Sequence, residues 1–440
     1  ASREVCAQAQ IDAPMMLVKG DGALVSADFA AERPIETILS GPAASLVGAT
    51  ALTGLKDALV SDIGGTTTDI AILTDGLPRL SPRGATVGGF ETMVAAVDMA
   101  THGLGGDSEV TLRIDGLSAQ IILGPQKAMP LSLLAMDYPS TLATLTVQLR
   151  RETPHDQDAR FAVATGRQPR MPLAATEAAV FSALTDGPQP LETLCPSRQK
   201  LAAAERLRKR GLLTLAAFTP SDAAHVLGHH SGWSSEAARL GAALHGRRRD
   251  GRGEVLAQEP EAFCTRVLDA LTRRSTTCLL QTTFAAEGLS AVNPDQDPLV
   301  AALLYGEHRM LSTSLKLATP LIALGASAAT HYPAIADVLS AELEVPEHAD
   351  VANAVGAVAG QVRLTRTLRL TEDPAGGLTV FLPDGPKPYG DRKKAMADAE
   401  TALEAQMAEA SAKAGAADAP ITLSWILNEA EVEGRRVLIE

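Results

Sequence analysis

Aromatic side chains are scarce in this 440-residue chain, with 8 Phe, 4 Tyr and 2 Trp making up 3% of it. That scarcity argues against stacking platforms for single-stranded nucleic acid or sugars. Cysteine is rarer. Cys6, Cys195, Cys264 and Cys278 never approach a C-x-x-C spacing, so free thiols in a reducing cytoplasm are expected, with no zinc-site pattern or disulfide framework. No apolar run reaches the ~18 residues that span a bilayer. The opening ASREVCAQAQ lacks a basic start followed by an apolar core, so no signal peptide is read there. A cytoplasmic location without a membrane partner is expected. Positive charge is in deficit: 39 Lys and Arg against 52 Asp and Glu give a net charge of −13. Such a field repels polyanions, and nucleic acid is not expected as a partner. A G-x-S-x-G elbow, an H-E-x-x-H helix and a Walker-type lysine loop are all missing, so serine hydrolase, zincin and P-loop chemistry lose support.

What remains is ordinary globular composition, 46% hydrophobic and 21% charged. At ~150 residues per domain the length predicts about three domains. An α/β chain is expected, a large soluble enzyme or enzyme subunit. Residues 35–54 form a small-residue helix signalled by Ser40-Gly41-Pro42. Ala58–Ile63 and Asp69–Leu73 read as two strands joined by Gly64-Gly65-Thr66-Thr67-Thr68, a hairpin. A strand around Ala85–Gly88, a helix over Glu91–Thr101 and the loop HGLGGDS follow, and Asp115-Gly116 marks a second hairpin.

Beyond Pro125 the chain is predicted to carry an inserted, mainly helical region over 126–300. Within it, 172–222 reads as helices and a short strand resembling a winged-helix module, with Arg198, Lys200, Arg206, Arg208, Lys209 and Arg210 as its basic segment. That charge reads as a solvated face rather than a DNA-binding one, and Arg247-Arg248-Arg249 as a solvated loop. Helices are expected near Ser234–His245 and Glu259–Arg274. From Thr319, a strand runs into Gly325-Ala326-Ser327 and then a helix, the strand–turn–helix geometry by which backbone N–H groups meet phosphate or ribose. The tail over 366–440 reads as two strands, an amphipathic helix near Arg392–Ala414 and a hairpin around Glu433-Gly434.

The densest chemistry lies in SDIGGTTTDIAI, Ser61 to Ile72. Gly64 and Gly65 allow backbone to approach an oxyanion without a Cβ penalty. Their N–H groups, with the hydroxyls of Thr66 and Thr67, form a donor-rich concavity suited to phosphate oxygens. Asp62 and Asp69 flank it and suit Mg²⁺ held through water. In a chain of net charge −13, an anion must be gripped by such local donors.

This stretch resembles the phosphate motif of the actin, hexokinase and heat-shock-chaperone ATPase superfamily, and within it the hydantoinase/oxoprolinase A family. VKGDGALVS at 18–26, RPIETILSGPAASLVGA at 33–49, GLGGDS at 103–108 and LGASAATHYP with EVPEHADVANAVGAV support the resemblance. It implies a ribonuclease-H-like actin/hexokinase-type ATPase lobe over 1–125 and 301–365, the inserted module, and a small C-terminal α/β piece. It implies ATP as cosubstrate, with Gly325, Ala326, Ser327, Asn353 and Gly356 on the adenosine side. The activity implied is phosphorylation of a cyclic amide, such as a hydantoin or 5-oxoproline, before ring opening completed with a B-type partner subunit. The same fold also serves ketone carboxylase subunits, small-molecule kinases and non-catalytic regulators.

Two departures shape what to expect. Residues 1–61 contain no first D-x-G-G-T-x-T-D motif, so an N-terminal lobe is expected from the same gene or a separate chain, and this chain alone is expected to turn over poorly. The family's D-x-H-T-x-G-A-G-G-G-S stretch reads DMATHGLGGDS here. Asp98 matches, Ala100 stands where the His would be, His102 follows two residues later, and Asp107 replaces a Gly. A second divalent metal at Asp98 and His102 is the expectation. His331 is expected to cap or pack.

Overall fold

A computed structural model describes residues 2–87, 90–289, 292–306, 310, 315–372, 377–426, 429–432 and 435–438. The chain divides into two compact units. The first comprises Ala1–Ala51, Pro78–Asp98 and Asn353–Glu440, the second Leu52–Leu77 and Met99–Ala352.

In the second unit the central strand Ala58–Ile63 is almost wholly buried, as expected of a strand covered on both faces. It pairs antiparallel with Thr68–Thr74 and parallel with Leu321–Leu324. Leu321–Leu324 in turn pairs parallel with Leu343–Glu344, and the helix Ala328–Leu339 makes that crossover. Met99–His102 pairs antiparallel with Thr68–Thr74 on its other side. Leu59, Ile63, Ile70, Leu321, Tyr332 and Ile335 pack with Leu271 and Leu279 of the 27-residue helix Pro260–Ala286 into one core. That helix runs well past the predicted end at Arg274, because its second half keeps a buried face under this sheet.

The rest of this unit surrounds a smaller sheet ordered Met129–Pro130, Leu213–Ala217, Phe161–Ala164, Gln189–Pro190. Helices Ala175–Ser182, Leu191–Leu194 and Arg198–Lys209 fall within the predicted module, followed by the strand Leu213–Ala217. Two further helices, Leu131–Asp137 and Thr141–Leu149, occupy a stretch without clean periodicity. The Asp115-Gly116 signal closes a hairpin of Ser108–Asp115 on Ser118–Lys127, with Gly116 at φ 58°. Arg247 is not solvated: it donates to the carbonyls of Gln148, Leu149 and Arg151 and to Asp158.

In the first unit the helix Ser40–Thr53 buries Ala43, Ala44, Leu46, Gly48 and Ala49, so its small residues form its packing face. Helix Ala352–Ala359 lies against it. The tail forms the sheet Arg369–Glu372, Leu378–Leu382, Gly385–Tyr389, backed by the helix Arg392–Lys413. Strands Glu429–Val432 and Arg435–Leu438 pair antiparallel, although the predicted Glu433-Gly434 turn lies outside the described residues, as does Gly88.

One prediction is overturned. Residues 91–101 form no helix. Phe90–Glu91 and Met99–His102 are strands, and Met93 takes φ 55°. Between them the backbone bonds to distant partners: Ala85 N to Val94 O, Val97 N to Gly20 O and Asp98 N to Arg79 O. Tertiary pairing overrides the helical spacing of the apolar residues here.

Candidate functional site

The hairpin tip is built by its own register. Asp62 faces Asp69 and Ile63 faces Thr68, after which the Gly64 N–H donates to Thr67 O at 2.9 Å. Two carboxylates directly opposed across a strand pair repel. This arrangement opposes stability and suits a bound cation. Asp69 is pushed above the ordinary carboxylate range by burial and by Asp62, with a hydrogen bond to Thr101 acting against this. Its Oδ1 is buried with no hydrogen-bond partner among the described residues. An orphaned carboxylate oxygen opposite a second carboxylate fits a site for a hard divalent cation.

The glycine-rich loop after the strand Met99–His102 docks on this tip. Gly106 N donates to Gly64 O at 3.2 Å and Asp107 N to Gly65 O at 2.8 Å, while Thr68 Oγ1 donates to Leu104 O at 2.8 Å. The tip carbonyls are thereby held, and the amides of Gly65 and Thr66 find no hydrogen-bond partner among the described residues. Close approach requires glycine. A Cβ on Gly105 would lie 2.4 Å from Gly64 O.

A third segment reaches the same place. Leu324 pairs with Asp62, so the strand Leu321–Leu324 delivers Gly325, Ala326 and Ser327 to the mouth of the hairpin. Gly325 has φ 102° and donates to Ala349 O. A Cβ there would meet Ile63 O at 2.1 Å and Asp62 Oδ1 at 3.3 Å. Beneath the sheet, Ser61 Oγ and Tyr332 Oη share a buried hydrogen bond. The phosphate-side and Gly325 candidates are thus neighbours in one unit.

Asn353 and Gly356 lie in the other unit. Asn353 lines an open groove of about 510 Å³ with Thr37, Ser40 and Gly41. A Cβ on Gly356 would stand 1.8 Å from Ala44 O, so close helix packing accounts for this glycine. Asp98 also lies in the first unit, paired with Arg79 at 3.4 Å. His102 lies in the second, its Nε2 buried without a partner among the described residues and its pKa lowered by burial and Arg274. Among the described residues no three His, Cys, Asp or Glu side chains gather to hold a metal ion.

The structure adds residues to the sequence-derived set. Asp107 lies over Gly65, with Lys127 Nζ 3.5 Å from its Oδ2 and Ser221 Oγ 3.4 Å from its Oδ1. Burial raises the Asp107 pKa, and Lys127 and Ser221 oppose that. The aspartate in GLGGDS is a visible signal for Asp107. Nothing local marks Lys127 or Ser221, which tertiary folding brings in. Ser221 N and Oγ both donate to Gly106 O. Next to it, buried Asp222 accepts from Leu131, Ser132 and Thr219, anchoring this wall.

Residues 3–151 match the family model described as hydantoinase/oxoprolinase. No curated protein matches the chain. Among solved structures, a nucleotide-free acetone carboxylase, from work on ATP-dependent acetone carboxylation, shares 16% identity and a TM-score of 0.44 over 95% of this chain and 44% of that one. An ATP-dependent caprolactamase from Pseudomonas jessenii shares 13% identity and a TM-score of 0.48 over 100% of this chain and 48% of that one. The chain spans less than half the length of either. Among the described residues no helix is long and apolar enough to cross a membrane.

Proposed function

Residues 3–151 match the hydantoinase/oxoprolinase family model, and from that premise we propose that the chain forms the phosphate grip of an ATP-dependent enzyme acting on a cyclic amide. The hydantoin or 5-oxoproline class is the substrate read from the resemblance. The surrounding sheet is read as the ribonuclease-H-like lobe of an actin/hexokinase-type ATPase, with the 172–222 segment as a winged-helix-like insert. An N-terminal lobe carrying the other phosphate motif and a B-type subunit are the partners that complete it.

One observation carries this reading: the opposed pair Asp62 and Asp69 lies beneath a glycine tip whose Gly65 and Thr66 amides are unclaimed among the described residues. In the proposed reaction the amide oxygen attacks the γ-phosphorus of ATP. The bond from that phosphorus to the β-bridging oxygen breaks, ADP leaves with the electron pair, and the amide N–H proton is released to solvent. The resulting O-phosphorylated imidate is a far better electrophile than the amide. Such transfer depends on positioning and charge neutralisation more than on covalent help from the protein. The Gly65 and Thr66 amides donate to phosphate oxygens, the Thr66 and Thr67 hydroxyls extend the donor set, and the Gly325–Ser327 turn contacts the nucleoside side. Asp62 and Asp69 would hold Mg²⁺, which when bound would supply charge neutralisation on the phosphates. Lys127, half-exposed beside Asp107, adds a cation near the tip.

The test is MgATP binding and phosphate release in the complete gene product with its B-type subunit. Hydantoin, 5-oxoproline and a ketone with bicarbonate are supplied in turn. Asp62→Ala and Asp69→Ala are each expected to weaken MgATP binding by about tenfold or more, ~1.4 kcal/mol. Unchanged binding in both variants sinks the reading. Phosphate release stimulated only by ketone and bicarbonate moves the substrate class to carboxylation.

A further inference from the structure

A cavity of about 730 Å³ opens in the second unit, lined by Arg167, Gln168, Arg170, Met171, Arg210 and Leu212. Its arginines are placed by the sheet beneath. The antiparallel pairing of Phe161–Ala164 with Leu213–Ala217 ends at Ala164 and Leu213, then continues as Thr165 N to Leu212 O at 3.2 Å and Thr165 Oγ1 to Gly211 O at 2.7 Å. Gly166 at φ 76° and Gly211 at φ 69° turn both chains at that point. Arg167 and Arg210 therefore leave from adjacent positions, and Arg167 Nη1 lies 3.2 Å from where a Cβ on Gly211 would stand.

The charge of these side chains is not balanced. Arg210 donates to Glu177 Oε2 at 3.2 Å and to the Met171 carbonyl at 3.0 Å. Glu177 is buried and is already paired with Arg206 Nε at 2.6 Å. One carboxylate thus serves two guanidinium groups, and Arg167 and Arg170 have no ion pair among the described residues. In a chain of net charge −13, the three guanidinium groups around this cavity find only the Glu177 carboxylate among the described residues, and Arg206 shares it.

We infer that this cavity binds a compact phosphorylated ligand. Arginine forks match phosphate oxygens in bidentate geometry. Met171 and Leu212 supply an apolar wall for the rest of the molecule. The volume falls in the roughly 300–1,000 Å³ range of small-ligand sites. An extended polyanion is disfavoured by the overall negative field.

The test is calorimetric titration of the full protein with pyrophosphate, with chelator present to remove the Mg²⁺ contribution of the phosphate grip proposed above, so that the arginine variants report the cavity. Succinate and a short DNA duplex are run in parallel. Pyrophosphate is expected to bind, and Arg167→Ala with Arg170→Ala to weaken it by about tenfold or more without moving the urea midpoint. Arg167→Lys with Arg170→Lys keeps the charge but loses the fork, and is expected to fall between. It decides the question if the alanine pair does not fold. Binding equal in wild type and both double variants overturns the site. Succinate binding as tightly as pyrophosphate overturns the phosphate assignment, and duplex DNA doing so overturns the compact ligand.

Discussion

Asp107 lies over the hairpin tip so closely that its Oδ2 stands 2.3 Å from where a Cβ on Gly65 would be. Gly105, two residues earlier, meets the tip through backbone alone, with Gly64 O at 2.4 Å and Gly65 C at 2.6 Å from its own Cβ position. The two glycines thus face different obstacles. A carboxylate can swing away, whereas the backbone of a paired hairpin cannot.

Gly105→Ala is therefore expected to be the more damaging change, costing about 1–3 kcal/mol of stability in the range typical of overpacking. It should also remove MgATP binding. Gly65→Ala should be milder, and Asp107→Gly should restore it by vacating the contested space. Urea unfolding and nucleotide titration of the three variants check this. A Gly65→Ala loss that Asp107→Gly leaves unrepaired would show that the alanine harms the tip by another route.

Asp69 offers a trade between stability and function. Its pKa is raised chiefly by burial, so the folded protein disfavours the charged carboxylate. The sign follows from linkage. A folded-state pKa above the ordinary 3.8 contributes stability at low pH that is lost as pH rises through the raised value. Asp69→Asn removes that loss, so near neutral pH the metal-free variant should melt a few degrees higher than wild type. MgATP binding should meanwhile fall by about tenfold or more. Thermal scans with and without MgATP separate the two effects, and a variant that melts lower without ligand refutes the claim.

The hairpin was legible because its information is local. Two glycines, three threonines and flanking apolar strands specify a turn within a dozen residues, and Asp115-Gly116 did the same for the next hairpin. Residues 91–101 misled for the opposite reason. Their apolar spacing fits a helix, but Val97 bonds to Gly20 and Met99–His102 adds to a sheet strand about thirty residues upstream. Likewise Lys127 and Ser221 reach Asp107 only after distant segments pack. Gly356, chosen for its place in a motif, proved to sit at a helix crossing that its neighbours in sequence do not reveal.

That crossing gives a prediction of its own. Gly356→Ala places a Cβ 1.8 Å from Ala44 O and 2.7 Å from Gly48 N, both backbone atoms of helix Ser40–Thr53. The helices must separate, at a cost of about 3 kcal/mol at the upper end of overpacking. Unfolding in urea should shift accordingly. A nucleotide-contacting glycine would give the reverse pattern, weaker ATP binding at unchanged stability.

Two buried histidines make the second unit acid-sensitive. His331 and His245 are 5% and 7% exposed, and burial lowers the pKa of each from 6.5 to about 4. His331 faces His229 and His230, which lower it further. His245 bonds Gly241 O through Nδ1 and feels Arg248 and Arg160 against Asp158. A lowered pKa means that the unfolded chain binds the proton first, so stability falls as pH drops from 6.5 towards 4. At the acid end of that window each histidine contributes about 3 kcal/mol of destabilisation. Urea midpoints measured from near neutral pH down to about pH 4 should decline steeply, and His331→Gln should flatten the slope whatever it does to stability at neutral pH. A wild-type slope retained in both His331→Gln and His245→Gln would assign the acid sensitivity to other groups.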